Sequence, residues 1–334
     1  MRVLLAAVTG LLVLVSTSSP RADSPAAAYK IVKKIPLGGE GGWDYLTMDS
    51  ENHRLYITRG THVTVLDVET GTEVGDITNL KGIHGVALCP KLNRGFITNG
   101  GDGMLVVFDT KTLKETDRVK VGARPDAILY DPASNRVFTF NAGTKDATAV
   151  DADTLKVAGT VPLGGKPEAG VTDEDGHVYV NVENTSEIVA IDARELKVLN
   201  RWPIAPGKDP AGLSIDRKQR RLFSTCHNEK MIVLDADSGK VLATPKIGKG
   251  TDASVFDPET KLAFSSNGDG TLTAVQTDGT DFPVVANVPT EPGARTMALD
   301  TKTHQIYLCT AKPKPGQRRA FEPGSFVILV VGKG

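Results

Sequence analysis

The chain has 334 residues, 40% hydrophobic and 24% charged, with a formal net charge of −1 at pH 7. Its 34 Gly and 19 Pro are spread along the sequence, which marks a turn-rich globular protein and excludes a disordered or fibrous one. Basic and acidic residues are interspersed, so no charge block predicts strong non-specific attraction to nucleic acid or to an anionic membrane.

In chain order, residues 1–22 come first: Arg2, an apolar run over 3–15 and small residues over 16–19. This is the pattern of a secretory signal peptide, too short for a comfortable membrane span; an uncleaved amino-terminal anchor is the alternative. Small residues at 16–18 and 26–28 both suit cleavage, so removal can extend to residue 28. No Cys follows the apolar run, and a lipid anchor is not expected. Residues 29–334 are expected to form one soluble, exported, monomeric domain, periplasmic or secreted.

From there the chain repeats. Tyr56, Phe96, Phe138, Tyr179, Phe223, Phe264 and Tyr307 fall at spacings of 40, 42, 41, 44, 41 and 43. A second ruler keeps the same phase: Asp67, Asp109, Asp151, Asp192 and Asp235 end apolar runs, with Gln276 in the sixth unit. Each unit reads as four short strands punctuated by turn residues, as in AILY at 127–130 and RVFTF at 136–140. Seven such units predict an all-β, seven-bladed β-propeller of four-stranded antiparallel blades.

The ends fit one another. Residues 29–38 look like a fourth strand with no blade before it, and residues 296–331 offer three strands with no fourth. The amino-terminal strand is therefore predicted to complete the last blade and close the ring. Within that blade, residues 311–325 form a long, basic, Pro-rich hairpin tip, read either as a tolerated surface loop or as a lid or partner contact with an anionic preference.

Phe96-Ile-Thr-Asn99 resembles the Tyr-Val-Thr-Asn core of the YVTN β-propeller repeats, and Val65-Leu-Asp67, Val107-Phe-Asp109 and Ala190-Ile-Asp192 resemble its third strand. Arg124-Pro-Asp126 and Lys166-Pro-Glu168 are similar to its lead-in to the first strand. The resemblance covers essentially the whole mature chain and is nearest to the exported YncE-like proteins. The core Asn is replaced by Arg59, Val182, Cys226 and Thr310, and blade four is one residue short between Asp173 and Tyr179. The resemblance implies a propeller in the periplasm or outside the cell and carries no common reaction.

Five residues before the end of each first strand stand Asp44, His84, Asp126, Glu168, Ala211, Asp252 and Arg295, with Asp209 two residues before the exception. On a propeller these lead-in positions encircle the channel mouth. Acids and an imidazole converging there can hold a divalent metal, with Asp44, His84 and Asp126 as candidate ligands. The alternative is that each acid caps backbone N–H groups of its own blade. Trp43 and Arg124 offer a stacking surface and an anion contact for a small ligand, and His62 and His227 fall on the same face as secondary candidates. His53, His177 and His304 are expected on the opposite face.

Cys89, Cys226 and Cys309 sit in or beside apolar strands, and no C-x-x-C or C-x-x-C-H pattern is present, so neither covalent c-type haem nor a cysteine-rich zinc site is expected. The sequence has no G-x-S-x-G elbow, H-E-x-x-H pair, Walker loop or dinucleotide fingerprint. The expected function is binding of a small ligand, metal ion or protein partner on the mouth face. The alternative is a metal-dependent hydrolase, lactonase or lyase using the lead-in acids, with His84 moving a proton.

Overall fold

All seven aromatics of the first ruler are buried, each at the centre of the second strand of its own sheet. A computed structural model describes residues 29–316 and 320–334; the expected signal segment is outside the described residues. Seven four-stranded antiparallel sheets follow one another, each paired in sequence order. Blade three is typical, with strands Pro125–Asp131, Arg136–Asn141, Asp146–Asp151 and Val157–Pro162.

Position in the ring explains the composition of each strand. Second and third strands are covered by neighbouring blades on both faces, so Leu105, Val106, Val107 and Phe108 are all buried in one run. Fourth strands form the rim and are largely exposed, as in Glu115–Lys120. The third-strand acids shape the turns to the rim. Asp67 accepts the Thr70 N–H at 2.8 Å and Asp109 the Thr112 N–H at 2.7 Å, and these backbone hydrogen bonds hold both carboxyls below the usual range.

Arginines at the start of second strands tie blades together. Arg94 donates to the carbonyls of Ala152 and Asp153 at 2.6 and 2.8 Å, and Arg136 does the same to Ala193 and Arg194 at 2.7 Å each. Blade four has His177 at that position. Its shortened turn is closed by Asp173, which accepts the N–H groups of Asp175 and His177 at 2.9 Å and receives Arg220 of blade five at 2.8 Å. Against the cost of burial, the His177 backbone bond and Arg220 hold Asp173 down to about 2.

The ring closes as its ends predict. The amino-terminal strand Tyr29–Pro36 pairs antiparallel with the carboxy-terminal strand Val327–Lys333, from Tyr29 opposite Lys333 to Pro36 opposite Val327. Tyr29 and Ile35 are buried in that seam. Residues 320–326 are docked on it: Gly324 N–H donates to the Gly39 carbonyl at 3.1 Å, and Phe321 packs on Trp43 with ring centroids 4.6 Å apart. Among the described residues no helix is long and apolar enough to cross a membrane.

Candidate functional site

The first strands of all seven blades surround a central channel whose cavity is about 290 Å³. Hydrogen bonds between blades fix the lead-in residues at its mouth. Tyr45 N–H donates to the His84 carbonyl at 3.3 Å, locking blade one to blade two beside Asp44. Thr98 then donates to the Asp126 carbonyl at 2.6 Å, locking blade two to blade three. Asn181 and Ser266 make the corresponding bonds to Ala211 and Arg295.

Three of these residues converge. His84 Nδ1 is 2.7 Å from Asp44 Oδ2 and 3.5 Å from Asp126 Oδ1, and one donor atom from each residue can be chosen so that all lie within 4.8 Å of one another. Gly100 lies beside the other edge of the imidazole: a Cβ there would be 3.0 Å from both Cδ2 and Nε2 of His84 and 2.8 Å from the Gly82 carbonyl. The ring presents Nδ1 to the two carboxylates.

The mouth is short of positive charge. Burial opposes the charged imidazole of His84, yet the Asp44 hydrogen bond and the field of Asp126 prevail and raise its pKa. Burial also raises Asp126, with His84 pulling it down and Asp44 pushing it up. Glu168 is pushed up to about 8 by burial and by Asp126, in spite of Lys166. Asp252 is pushed up to about 6 by burial, although Arg295 Nε sits 2.9 Å from it. Desolvated carboxylates carrying such shifts are groups that a bound cation would relieve.

Other candidates are placed differently. Arg124 is exposed, and its charge acts on Asp126. Trp43 packs into the seam against Phe321 and Phe326. Asp209 is exposed, with its N–H donated to Ser186 Oγ at 3.2 Å. Against burial, the Lys166 hydrogen bond lowers Glu183, with His227 adding to that field; burial and Asp76 raise Glu73 on the rim strand of blade one, with His62 acting against them. His177 and His304 pair with Asp173, just after the first strand of blade four, and Asp257, at the end of the first strand of blade six.

Two features escaped the reading of the sequence. Tyr45 packs against the core of blades three and four and so reaches across the channel from blade one. Burial, then Asp126, Glu168, Asp44 and Asp252, raise its phenol well above the ordinary value. Its signal was present: the residues after the lead-in positions are Tyr45, Gly85, Ala127, Ala169, Gly212, Ala253 and Thr296, six small and one large. The second is Lys166, whose ammonium is clamped between Glu168 and Glu183.

No family model matches the sequence, and no curated protein is similar to it. Among solved structures, a chain of Kuenenia stuttgartiensis hydrazine synthase is similar with a TM-score of 0.72 at 15% identity, over 80% of this chain and 92% of that one. At that identity the likeness is one of fold, and the fold is a seven-bladed β-propeller.

Proposed function

We propose that this chain is an exported propeller that binds a divalent cation at its channel mouth through Asp44, His84 and Asp126. The observation that carries the reading is the convergence of His84 Nδ1 with a carboxylate oxygen of each acid, on three successive blades, within 4.8 Å. One imidazole and two carboxylates suit Zn²⁺ or Mn²⁺ better than Ca²⁺, which takes six to eight oxygens. Export rests on the signal pattern of residues 1–22.

The test is metal content after equilibrium dialysis against Zn²⁺ or Mn²⁺. Wild-type protein should retain one ion per chain, and Asp44→Ala, His84→Ala and Asp126→Ala should each lose it. Equal metal content in wild type and all three variants would show that the lead-in acids only support their blades.

A second reading is favoured by Glu168. Three protein ligands leave coordination positions open on a metal, and a carboxyl with a pKa of about 8 is matched to proton transfer near neutral pH. In a metal-dependent hydrolase or lyase, His84 would serve as a ligand and Glu168 would move the proton. Turnover of an ester or lactone that requires both metal and Glu168 would establish this reading; metal binding without turnover leaves the binding protein.

A further inference from the structure

Below the metal triad the channel holds space that metal binding does not use. Its cavity of about 290 Å³ extends from Asp252 at the mouth to Met48, Val255 and Leu299, toward the far ends of their first strands. Those three apolar residues are half-buried, so solvent reaches the lining. The volume is at the small end of the range for ligand pockets.

The two ends of this cavity differ in chemistry. Along the wall the hydroxyls are already engaged: Thr47 donates to the Val86 carbonyl at 2.7 Å, and Ser254 shares a hydrogen bond of 2.7 Å with Ser214. With Met48, Val255, Met297 and Leu299 around them, the side chains there offer a ligand apolar surface.

The mouth end carries charge instead. Arg295 Nε sits 2.9 Å from Asp252 Oδ2, and among the described residues no hydrogen bond engages Oδ1. Tyr45 reaches across the channel at this level within the field of Asp126, Glu168, Asp44 and Asp252, and no described residue hydrogen-bonds its phenol. The nearby cations are already paired: His84 with Asp44 at 2.7 Å, Lys166 with Glu168 and Glu183, and Arg295 with Asp252 itself. Arg124, which acts on Asp126, is exposed. An anion entering the cavity would therefore be repelled by the carboxylates, whereas a cation would meet a free carboxylate oxygen and an aromatic ring.

We propose that the channel beneath the mouth is a binding chamber for a small organic cation, an alkylammonium or arylammonium ion. Asp252 and Tyr45 hold its head, and Met48, Val255 and Leu299 receive its apolar body. The chamber uses no side chain of the metal triad, so the two sites stand or fall separately.

The probe is n-hexylammonium chloride, with hexan-1-ol and sodium hexanoate as the neutral and anionic molecules of equal chain length. Calorimetric titrations use the chelator-treated full chain at constant ionic strength, so they read the chamber whether or not the triad takes a metal. Hexylammonium should bind once per chain, about tenfold more tightly than hexanol, and hexanoate should not bind. Asp252→Asn should lose about tenfold in affinity for the cation and keep its affinity for hexanol, and Tyr45→Phe should lose about threefold for the cation. Leu299→Trp, which fills the far end and leaves both head contacts in place, should abolish binding of cation and alcohol alike. No saturable binding of hexylammonium up to about 20 mM would overturn the proposal. So would hexanoate binding as tightly as the cation, or unchanged cation affinity in folded Asp252→Asn or in Leu299→Trp.

Discussion

His84 Nδ1 is 2.7 Å from Asp44 Oδ2, so an imidazole from blade two is held by a carboxylate from blade one. In the metal-free protein this atom shares a proton with the carboxylate, and a metal must replace that proton to bind there. The same contact therefore sets a pH dependence of stability and one of metal affinity.

The sign follows from the raised pKa of His84. Stability from the pair is fully present below the unfolded value of about 6.5 and is lost as pH rises through the folded one. Glu168 and Asp252, pushed up to about 8 and about 6, also hold more protons folded than unfolded, so metal-free stability falls as pH climbs from the ordinary carboxylate range to those values. Chelator-treated protein should melt lower at about pH 8.5 than at about pH 5.5, and Glu168→Gln should flatten the slope. Saturating Zn²⁺ or Mn²⁺ should bind more tightly at the higher pH and restore the loss. A melting temperature of the metal-free protein that climbs over this interval contradicts the assignment.

Gly100 lies against the edge of the His84 ring opposite the carboxylates, where only a residue without a side chain fits unstrained. Gly100→Ala would place a methyl 2.8 Å from the Gly82 carbonyl and 3.0 Å from the His84 ring, turning the imidazole. Metal affinity, measured by calorimetry, should fall by about tenfold or more while the chain stays folded. Unchanged affinity would mean that the hairpin of blade two does not set the ring.

Ring closure is tested by shortening the amino terminus. Removing residues 29–36 exposes the edge of Val327–Lys333 and strips Tyr29 and Ile35 from the seam. Each buried side chain contributes about 2 kcal/mol, and at about 2 °C per kcal/mol for a chain of this size the melting temperature should drop by roughly 10 °C once the lost ladder is included. A drop within about 1 °C would refute closure by this strand.

Asp173 supports the joint between blades four and five. Its side chain is 1% exposed and takes bonds from His177 and Arg220, so Asp173→Asn should cost roughly 3 kcal/mol by leaving Arg220 underpaired. With the carboxyl held down to about 2, its contribution is present above the unfolded value of about 3.9 and is lost as pH falls through the folded one. Urea denaturation at about pH 7 and about pH 3 should show the deficit of the variant shrinking at the lower pH. A deficit that grows there would contradict this role.

The fold was legible because blade-building residues repeat. Phe96 and Phe138 recur because each second strand meets the same neighbours, and Asp67 and Asp109 recur because each caps the same turn. The convergence of Asp44, His84 and Asp126 was legible for a related reason: the three occupy one repeat position, and the ring brings equal positions together. Contacts across the channel or the seam carry no such period. Tyr45 meets blades three and four from blade one, Lys166 bridges a lead-in and a hairpin, and Arg59 finds Phe326 only after closure. Trp43, adjacent to Asp44 in sequence, was expected to offer a stacking surface at the mouth, and the closed seam takes up its ring.

The most direct test of the mouth is a crystal of the full chain soaked in Mn²⁺ and measured for anomalous scattering. The account predicts one peak within bonding distance of His84 Nδ1 and of one carboxylate oxygen each of Asp44 and Asp126. The His84–Asp44 hydrogen bond should be replaced. Saturating Mn²⁺ that leaves that hydrogen bond intact, with no peak among the three side chains, would contradict it.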